Sequence, residues 1–138
     1  MEKVNILVVA KDQKIIEKIK DCFLEDGHQV IPAYDVPLGF FLAQKNFPEI
    51  ILCEPQLKEG DVWTMLGELQ SDPELEPIPF VVIDNSEGKL IDEKVALDNG
   101  ISEYVELHYT NEKMIETLVP LIKRRLSQKE DRPMYSPE

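Results

Sequence analysis

Short aliphatic runs alternate along the chain with longer segments in which apolar residues recur every three or four positions. The short runs are typical of strands covered on both faces, and the longer segments are typical of amphipathic helices. Strands that alternate with helices form right-handed βαβ units and a parallel sheet. The predicted strands cover residues 4–10, 28–34, 49–54, 80–83 and 103–107.

Aspartates precede three of the predicted helices. A side-chain oxygen at this position caps a helix, because it accepts a hydrogen bond from a backbone N–H of the first turn. The capping residues are Asp12, Asp35 and Asp61, and two further helices are predicted over residues 89–98 and 111–126.

The second and third helices differ in how clearly they show an inward face. The second is predicted to pack through Leu38, Phe41 and Leu42, whereas Phe40 falls off this stripe, as Trp63 does in the third helix. Exposed aromatic side chains often anchor partner proteins, but isolated ones are also normal on a surface. Both interpretations of Phe40 and Trp63 remain open.

Pro32 lies inside the second predicted strand. Proline has no N–H to donate to a neighbouring strand, so this strand should lie at an edge of the sheet. The strand order 2-1-3-4-5 places it there. We therefore predict an α/β protein with a flavodoxin-like three-layer α/β/α sandwich, in which five helices cover a five-stranded parallel sheet of this order.

The chain of 138 residues carries a formal net charge of −12, which argues against nucleic-acid binding because phosphate groups would be repelled. No apolar run approaches the roughly 20 residues that cross a bilayer, and no secretory signal is recognisable. We expect a cytoplasmic protein without membrane contact. Cys22 and Cys53 suit reduced thiols, no metal-ligand spacing is present, and His28 and His108 are expected at the surface.

One compact domain accounts for residues 1–127. Residues 128–138 are polar and contain two prolines. They are expected to form a flexible tail or the start of a linker.

Four of the predicted strands resemble, in the same order, strands of the receiver domains of bacterial two-component response regulators. The first carries the run Asn-Ile-Leu-Val-Val, and the segment before the fourth carries the Asp-Pro and Ile-Pro pairs usual in this family. The matching segments are residues 5–9, 48–53, 78–83 and 100–105. The resemblance covers roughly residues 3–126, and it implies a role in phosphorelay signal transduction.

An active receiver domain accepts a phosphoryl group from a histidine kinase on an aspartate at the end of strand 3. Two acidic residues after strand 1 hold a magnesium ion, and a hydroxyl residue after strand 4 and a lysine after strand 5 bind the phosphoryl oxygens. The chain has other residues at these positions: Ala10, Lys11, Glu54, Asp84 and Leu107. The resemblance thus implies a degenerate phosphorylation pocket, without metal, cofactor or catalytic residue.

Lys11 is expected to form an ion pair in this pocket with Glu54 or Asp84, because the carboxyl ends of strands 1, 3 and 4 meet in the crevice. Its ammonium group would then take the place of the metal ion. Pro55 removes an amide donor from the loop that would hold a phosphoryl group, which counts further against phosphotransfer.

The chain is therefore interpreted as a pseudo-receiver, a signalling module that is not an enzyme and that acts through contact with a signalling protein or an output domain. Two alternatives remain open. One is a residually phosphorylated response regulator. The other is a flavodoxin-like ligand-binding protein or enzyme, although no glycine-rich phosphate loop follows strand 1.

Tyr104 matches an aromatic residue that swings inward when active receivers are phosphorylated, and here it is expected to be half-buried. Together with Ile122 it predicts a partner face formed by helix 4, strand 5 and helix 5, which corresponds to the dimerisation and output face of active receivers. A homodimer through this face is one form of the prediction. Pro120 predicts a kink that exposes part of the apolar stripe of the last helix.

Overall fold

The computed structural model describes residues 4–24, 26–84, 91–106 and 118–127. Strands and helices alternate along the chain. The strands are β1 (Asn5–Val9), β2 (Gln29–Ala33), β3 (Ile50–Cys53), β4 (Phe80–Asp84) and β5 (Glu103–Glu106). The helices are α1 (Gln13–Leu24), α2 (Val36–Asn46), α3 (Val62–Gln70), α4 (Glu93–Asp98) and α5 (118–127).

The five strands form one parallel sheet in the order β2-β1-β3-β4-β5. This confirms the predicted flavodoxin-like fold. Pro32 lies in β2 opposite Val8, at an edge of the sheet, as its missing N–H predicts.

Aspartate caps fix where the helices begin. Asp35 accepts a hydrogen bond from the N–H of Leu38 at 2.9 Å, and Asp61 caps α3 in the same way. The fourth helix was predicted to start at residue 89, but α4 begins at Glu93 because Asp92 has an extended backbone and acts as the cap. Residues 89 and 90 lie outside the described ranges.

The sheet buries a separate apolar cluster on each face. One cluster packs side chains of α2, α3 and α4 against the sheet, and the other packs α1 and α5 against the opposite face. Burial of these clusters is the main source of stability for a fold of this kind.

The predicted inward face of α2 is wrong for Leu38 and Phe41, whereas Leu42 packs against the core as predicted. Phe41 is 56% exposed and Leu38 is 38% exposed, whereas Gly39 and Ala43 are buried and Phe40 packs against the core. The helix is apolar on nearly every side, from Val36 to Ala43, so its periodicity does not distinguish the inner face from the outer one.

None of the helices in the described ranges is long and apolar enough to cross a membrane. The described part of α5 ends at residue 127. The tail predicted over residues 128–138 lies outside the described residues, so the domain boundary remains a prediction.

Candidate functional site

The carboxyl ends of β1, β3 and β4 lie side by side at one edge of the sheet. Val9 pairs with Cys53, so the chain leaves β1 and β3 at the same level, through Ala10 and Glu54. Asp84 ends the neighbouring strand. This is the edge at which open α/β sheets bind their ligands.

The Glu54 carboxylate is turned into the protein and is held by backbone amides. Only 6% of the residue is exposed. Its Oε1 accepts hydrogen bonds from the N–H groups of Lys11, at 2.8 Å, and Asp12, at 3.2 Å. Two donors from the loop after β1 therefore face the carboxylate at the end of β3.

The predicted ion pair of Lys11 does not form. The Lys11 side chain is exposed, and within the described ranges its ammonium group makes no ion pair with Glu54 or Asp84. The backbone N–H of Lys11 makes the contact instead. The glutamate side chain, one methylene longer than aspartate, reaches this amide directly at 2.8 Å.

Burial raises the pKa of Glu54 above its usual value. The hydrogen bonds from Asp12 and Lys11 oppose this effect, the negative charge of Asp12 adds to it, and the positive charge of Lys11 lowers the pKa only weakly. The ionised form is therefore less favourable in the folded protein than in the unfolded chain.

Two substitutions separate the charge of Glu54 from its role as an acceptor. Glu54→Gln keeps an oxygen for the two N–H groups and removes the buried charge, so at neutral pH we expect this variant to be at least as stable as the wild type. Glu54→Ala leaves both donors without this acceptor and should lose about 1–3 kcal/mol of unfolding free energy. Urea unfolding of the three proteins measures both effects.

The stability of the wild type relative to Glu54→Gln should also depend on pH. Because the folded pKa of Glu54 lies above the unfolded one, its contribution to stability is complete below the unfolded pKa and is lost as the pH rises through the folded pKa. The wild type should thus gain stability relative to Glu54→Gln as the pH falls from neutral toward about 4. A difference that stays constant with pH would contradict this reading of Glu54.

The residues at the expected magnesium positions do not fit the ion, which requires near-octahedral oxygen ligands. Ala10 has no side-chain oxygen, Lys11 is cationic, and Oε1 of Glu54 already accepts two N–H bonds. Asp12 Oδ1 accepts from the N–H of Lys14 at 2.9 Å. Across the described segments, no three acidic, histidine or cysteine side chains lie together as metal ligands.

Asp84 at the end of β4 contacts Tyr104 on the neighbouring strand β5. The hydroxyl group of Tyr104 donates to Oδ2 of Asp84 at 2.6 Å, and Asp84 is 2% exposed. Burial and the bond to this carboxylate raise the pKa of Tyr104 well above its usual value, so the hydroxyl keeps its proton. Tyr104 is half-buried and packs against the core, as predicted.

Pro55 begins a loop that is closely tied to α3. Pro55 is buried, and its carbonyl oxygen accepts a hydrogen bond from the N–H of Val62 at 3.0 Å. The N–H of Leu57 bonds to the carbonyl of Gly60 at 3.3 Å. Two backbone hydrogen bonds therefore hold the loop after Glu54 against itself and the start of α3.

Ile122 does not belong to an exposed partner face, contrary to the prediction. Its side chain is 0% exposed and lies in the core cluster beneath α5, with Leu118 and Leu126. These residues are four positions apart, so they share the side of the helix that faces the sheet. Leu107 of the predicted pocket lies outside the described residues, as do residues 111–117 at the start of the predicted last helix.

The histidine prediction also needs correction. His28 is buried and not at the surface. Its Nδ1 accepts a hydrogen bond from the N–H of Val4 at 3.1 Å, and its ring centroid lies 5.9 Å from that of Phe23. His108 lies outside the described residues. Cys22 and Cys53 are free thiols, as predicted.

The residue pattern alone does not disclose two contacts of the pocket: the amides bound to Glu54 and the hydroxyl bound to Asp84. The sequence gives a weak sign of the first contact, because glutamate is one methylene longer than aspartate and can reach the loop after β1. The second depends on the register of β4 and β5, in which Val82 pairs with Tyr104. That register becomes available only once the strand ends are known.

Known proteins resemble this chain in sequence and in fold. The response regulator PleD of Caulobacter vibrioides is 27% identical over 101 residues, which cover 73% of this chain but only 22% of PleD. The receiver domain of a signal transduction histidine kinase from Syntrophus aciditrophicus superposes with a TM-score of 0.77 at 19% identity, over 96% of this chain and 97% of that one. The fold is that of a response-regulator receiver domain.

A second receiver structure gives the same result. The phosphorylated cyanobacterial phytochrome response regulator RcpA has a TM-score of 0.76 at 20% identity, over 92% of this chain and 96% of RcpA. No protein-family model matches the chain. The receiver fold is thus shared with these structures.

Proposed function

We propose that the chain is a receiver-like signalling domain of a two-component pathway that takes up no phosphoryl group and acts by protein–protein contact. The observation that carries this proposal is the position of Glu54. Its carboxylate stands where a phosphoryl acceptor would be, yet it is buried and bound to the amides of Lys11 and Asp12.

Phosphoryl transfer depends on positioning and on neutralisation of the charge that develops on the phosphoryl oxygens. The described part of the pocket is poorly suited to this. Glu54 and Asp84 both bring negative charge to the crevice, and the exposed Lys11 forms no ion pair with either of them. An incoming phosphodonor would meet repulsion, and one oxygen of the Glu54 carboxylate already accepts two hydrogen bonds.

The bond between Asp84 and Tyr104 supports a domain with a single state. In active receivers the matching aromatic residue swings inward only on phosphorylation. Here a carboxylate of the protein itself holds the tyrosine hydroxyl at 2.6 Å. We propose that this contact fixes the neighbouring surface without phosphorylation.

The partner class we propose is a signalling protein or an output domain, and not a nucleic acid or a membrane. The acidic charge of the chain and the receiver fold support this choice. Its free thiols are consistent with a cytoplasmic location. The proposed domain is not an enzyme. A homodimer through α4, β5 and α5 stays a prediction, and it would have to use residues other than Ile122.

Incubation with a small phosphodonor and magnesium tests the proposal. We expect the intact mass of the protein to remain unchanged, because no acceptor oxygen is available beside a metal ion. An active receiver domain treated in parallel shows that the donor works. Addition of one phosphoryl group that is abolished in Glu54→Gln would instead identify a residually phosphorylated response regulator.

A further inference from the structure

A groove with a volume of about 420 Å³ lies between α2 and α3. Val36 and Phe40 supply apolar surface from α2, and Thr64 contributes from α3. Glu59 and Glu68 carry carboxylates along its other side. The volume is within the range of pockets that bind ligands or large side chains.

The groove is built from segments that are held in place. The N–H of Val36 donates to the carbonyl of Glu59 at 3.0 Å, which ties the start of α2 to the loop before α3. Asp35 and Asp61 cap the two helices beside this contact. A partner would therefore meet a preformed surface, and little ordering free energy would oppose binding.

The apolar character of α2 continues beyond the groove. Leu38 and Phe41 of α2 are exposed and do not line the groove. Packing of the core does not require this surface, because Gly39, Phe40 and Ala43 already make the inward contacts. An apolar helix surface beside an apolar groove is typical of sites that receive an amphipathic helix.

Charge indicates which kind of helix would bind. Glu59 and Glu68 are both exposed, and the residues that line the groove include no lysine or arginine. The nearby Lys45 and Lys58 lie over the rings of Phe41 and Tyr34, respectively. A second copy of this chain, with its net charge of −12, would be repelled.

We propose that the groove between α2 and α3 binds an amphipathic helix of a partner protein, with large apolar side chains toward α2 and lysine or arginine beside Glu59 and Glu68. This rests on the proposed contact function and names the chemistry of the partner. It uses a different surface from the predicted face at α4, β5 and α5.

A pair of synthetic helical peptides tests the inference. One carries leucines at positions i, i+3, i+4 and i+7 with lysines elsewhere, and its twin has glutamate in place of every lysine. The lysine peptide should bind saturably, more weakly at high salt, and shift the amide signals of Gly60, Thr64 and Glu68. The twin should bind at least about tenfold more weakly. Trp63 supplies a fluorescence readout beside Thr64.

Charge reversal in the groove makes the test specific. The variant Glu59→Lys/Glu68→Lys should prefer the glutamate peptide. Glu74→Lys/Glu76→Lys changes the net charge by the same amount at exposed residues that do not line the groove, and it should keep the preference of the wild type. Circular dichroism and urea unfolding establish that both variants are folded.

Several results would overturn the inference. They are equal binding of the two peptides, a preference that survives Glu59→Lys/Glu68→Lys, and amide shifts confined to other surfaces. Self-association in sedimentation that is abolished by the groove variant would assign the groove to a second copy instead. Phosphoryl uptake is measured separately by mass, so failure of peptide binding leaves the test of the proposed function intact.

Discussion

Placing the residues of active receivers at five positions should produce a protein that is phosphorylated to near completion by a small phosphodonor with magnesium, whereas we expect the wild type to take up no phosphoryl group. The variant combines Ala10→Asp, Lys11→Asp, Glu54→Asp, Asp84→Thr and Leu107→Lys. Intact mass before and after incubation measures the gain, and thermal unfolding with and without magnesium measures binding of the ion.

The described contacts give a reason for each of three changes. Glu54→Asp shortens the side chain, so its carboxylate no longer reaches the amides of Lys11 and Asp12 as Glu54 does. Ala10→Asp places a second carboxylate beside it, because β1 and β3 end at the same level. Asp84→Thr removes a negative charge and releases the hydroxyl of Tyr104. The clustered carboxylates repel one another, so magnesium should raise the unfolding temperature of this variant.

A matched variant with Glu54→Asn in place of Glu54→Asp should gain no mass, because the carboxylate nucleophile is missing. Pro55 is a further obstacle, since it fixes the backbone directly after residue 54. If the restored protein stays inert even after Pro55→Ala, the geometry of the pocket differs from that of active receivers by more than its side chains.

Gly60→Ala should destabilise the protein by about 2–4 kcal/mol. Gly60 has φ of +89°, a conformation that residues with a Cβ rarely adopt, and an added Cβ would lie 2.5 Å from Cγ2 of Val36. Backbone strain and overpacking therefore act together. Val36 is buried at the start of α2, so it has little room to move away. The midpoint and slope of urea unfolding measure the loss.

Gly67 is the matched control. It lies within α3, and an added Cβ would meet nothing within 4 Å. Gly67→Ala should therefore stabilise the protein by about 0.5–1 kcal/mol, since alanine loses less conformational entropy in a helix. A Gly60→Ala protein that unfolds at the same urea concentration as Gly67→Ala would show that the turn before α3 adapts freely.

Features set by local chemistry could be predicted from the sequence. The caps of α2 and α3 depend on one aspartate each, and the edge position of β2 depends on the missing N–H of Pro32. The alternation of buried strands with helices then leaves few arrangements of a parallel sheet. Such signals lie within one element and do not require knowledge of its neighbours.

Features decided by packing could not be predicted in the same way. The outward position of Phe41 depends on which side of an almost wholly apolar helix meets the sheet. The predicted ion pair of Lys11 was wrong, because its backbone N–H and not its ammonium group contacts Glu54, and this contact depends on where the loop after β1 lies relative to β3. Ile122 is buried because α5 turns its stripe toward the sheet, which leaves the predicted partner face without that residue.

The direction of the backbone N–H and C=O groups of β2 determines what the outer edge of the sheet can bind. The N–H of Gln29 donates to Val4, and the carbonyl of Ala33 accepts from Ala10, so the odd-numbered residues of β2 turn their backbone groups toward β1. The backbone groups of Val30 and Pro32 consequently point away from β1, and Pro32 has no N–H to donate there. An extended segment from another molecule that tried to lengthen the sheet along this border would lack a donor in the middle of its ladder and would meet the pyrrolidine ring. The border at β2 is thus protected against strand addition and against the edge-to-edge stacking that leads to fibrils.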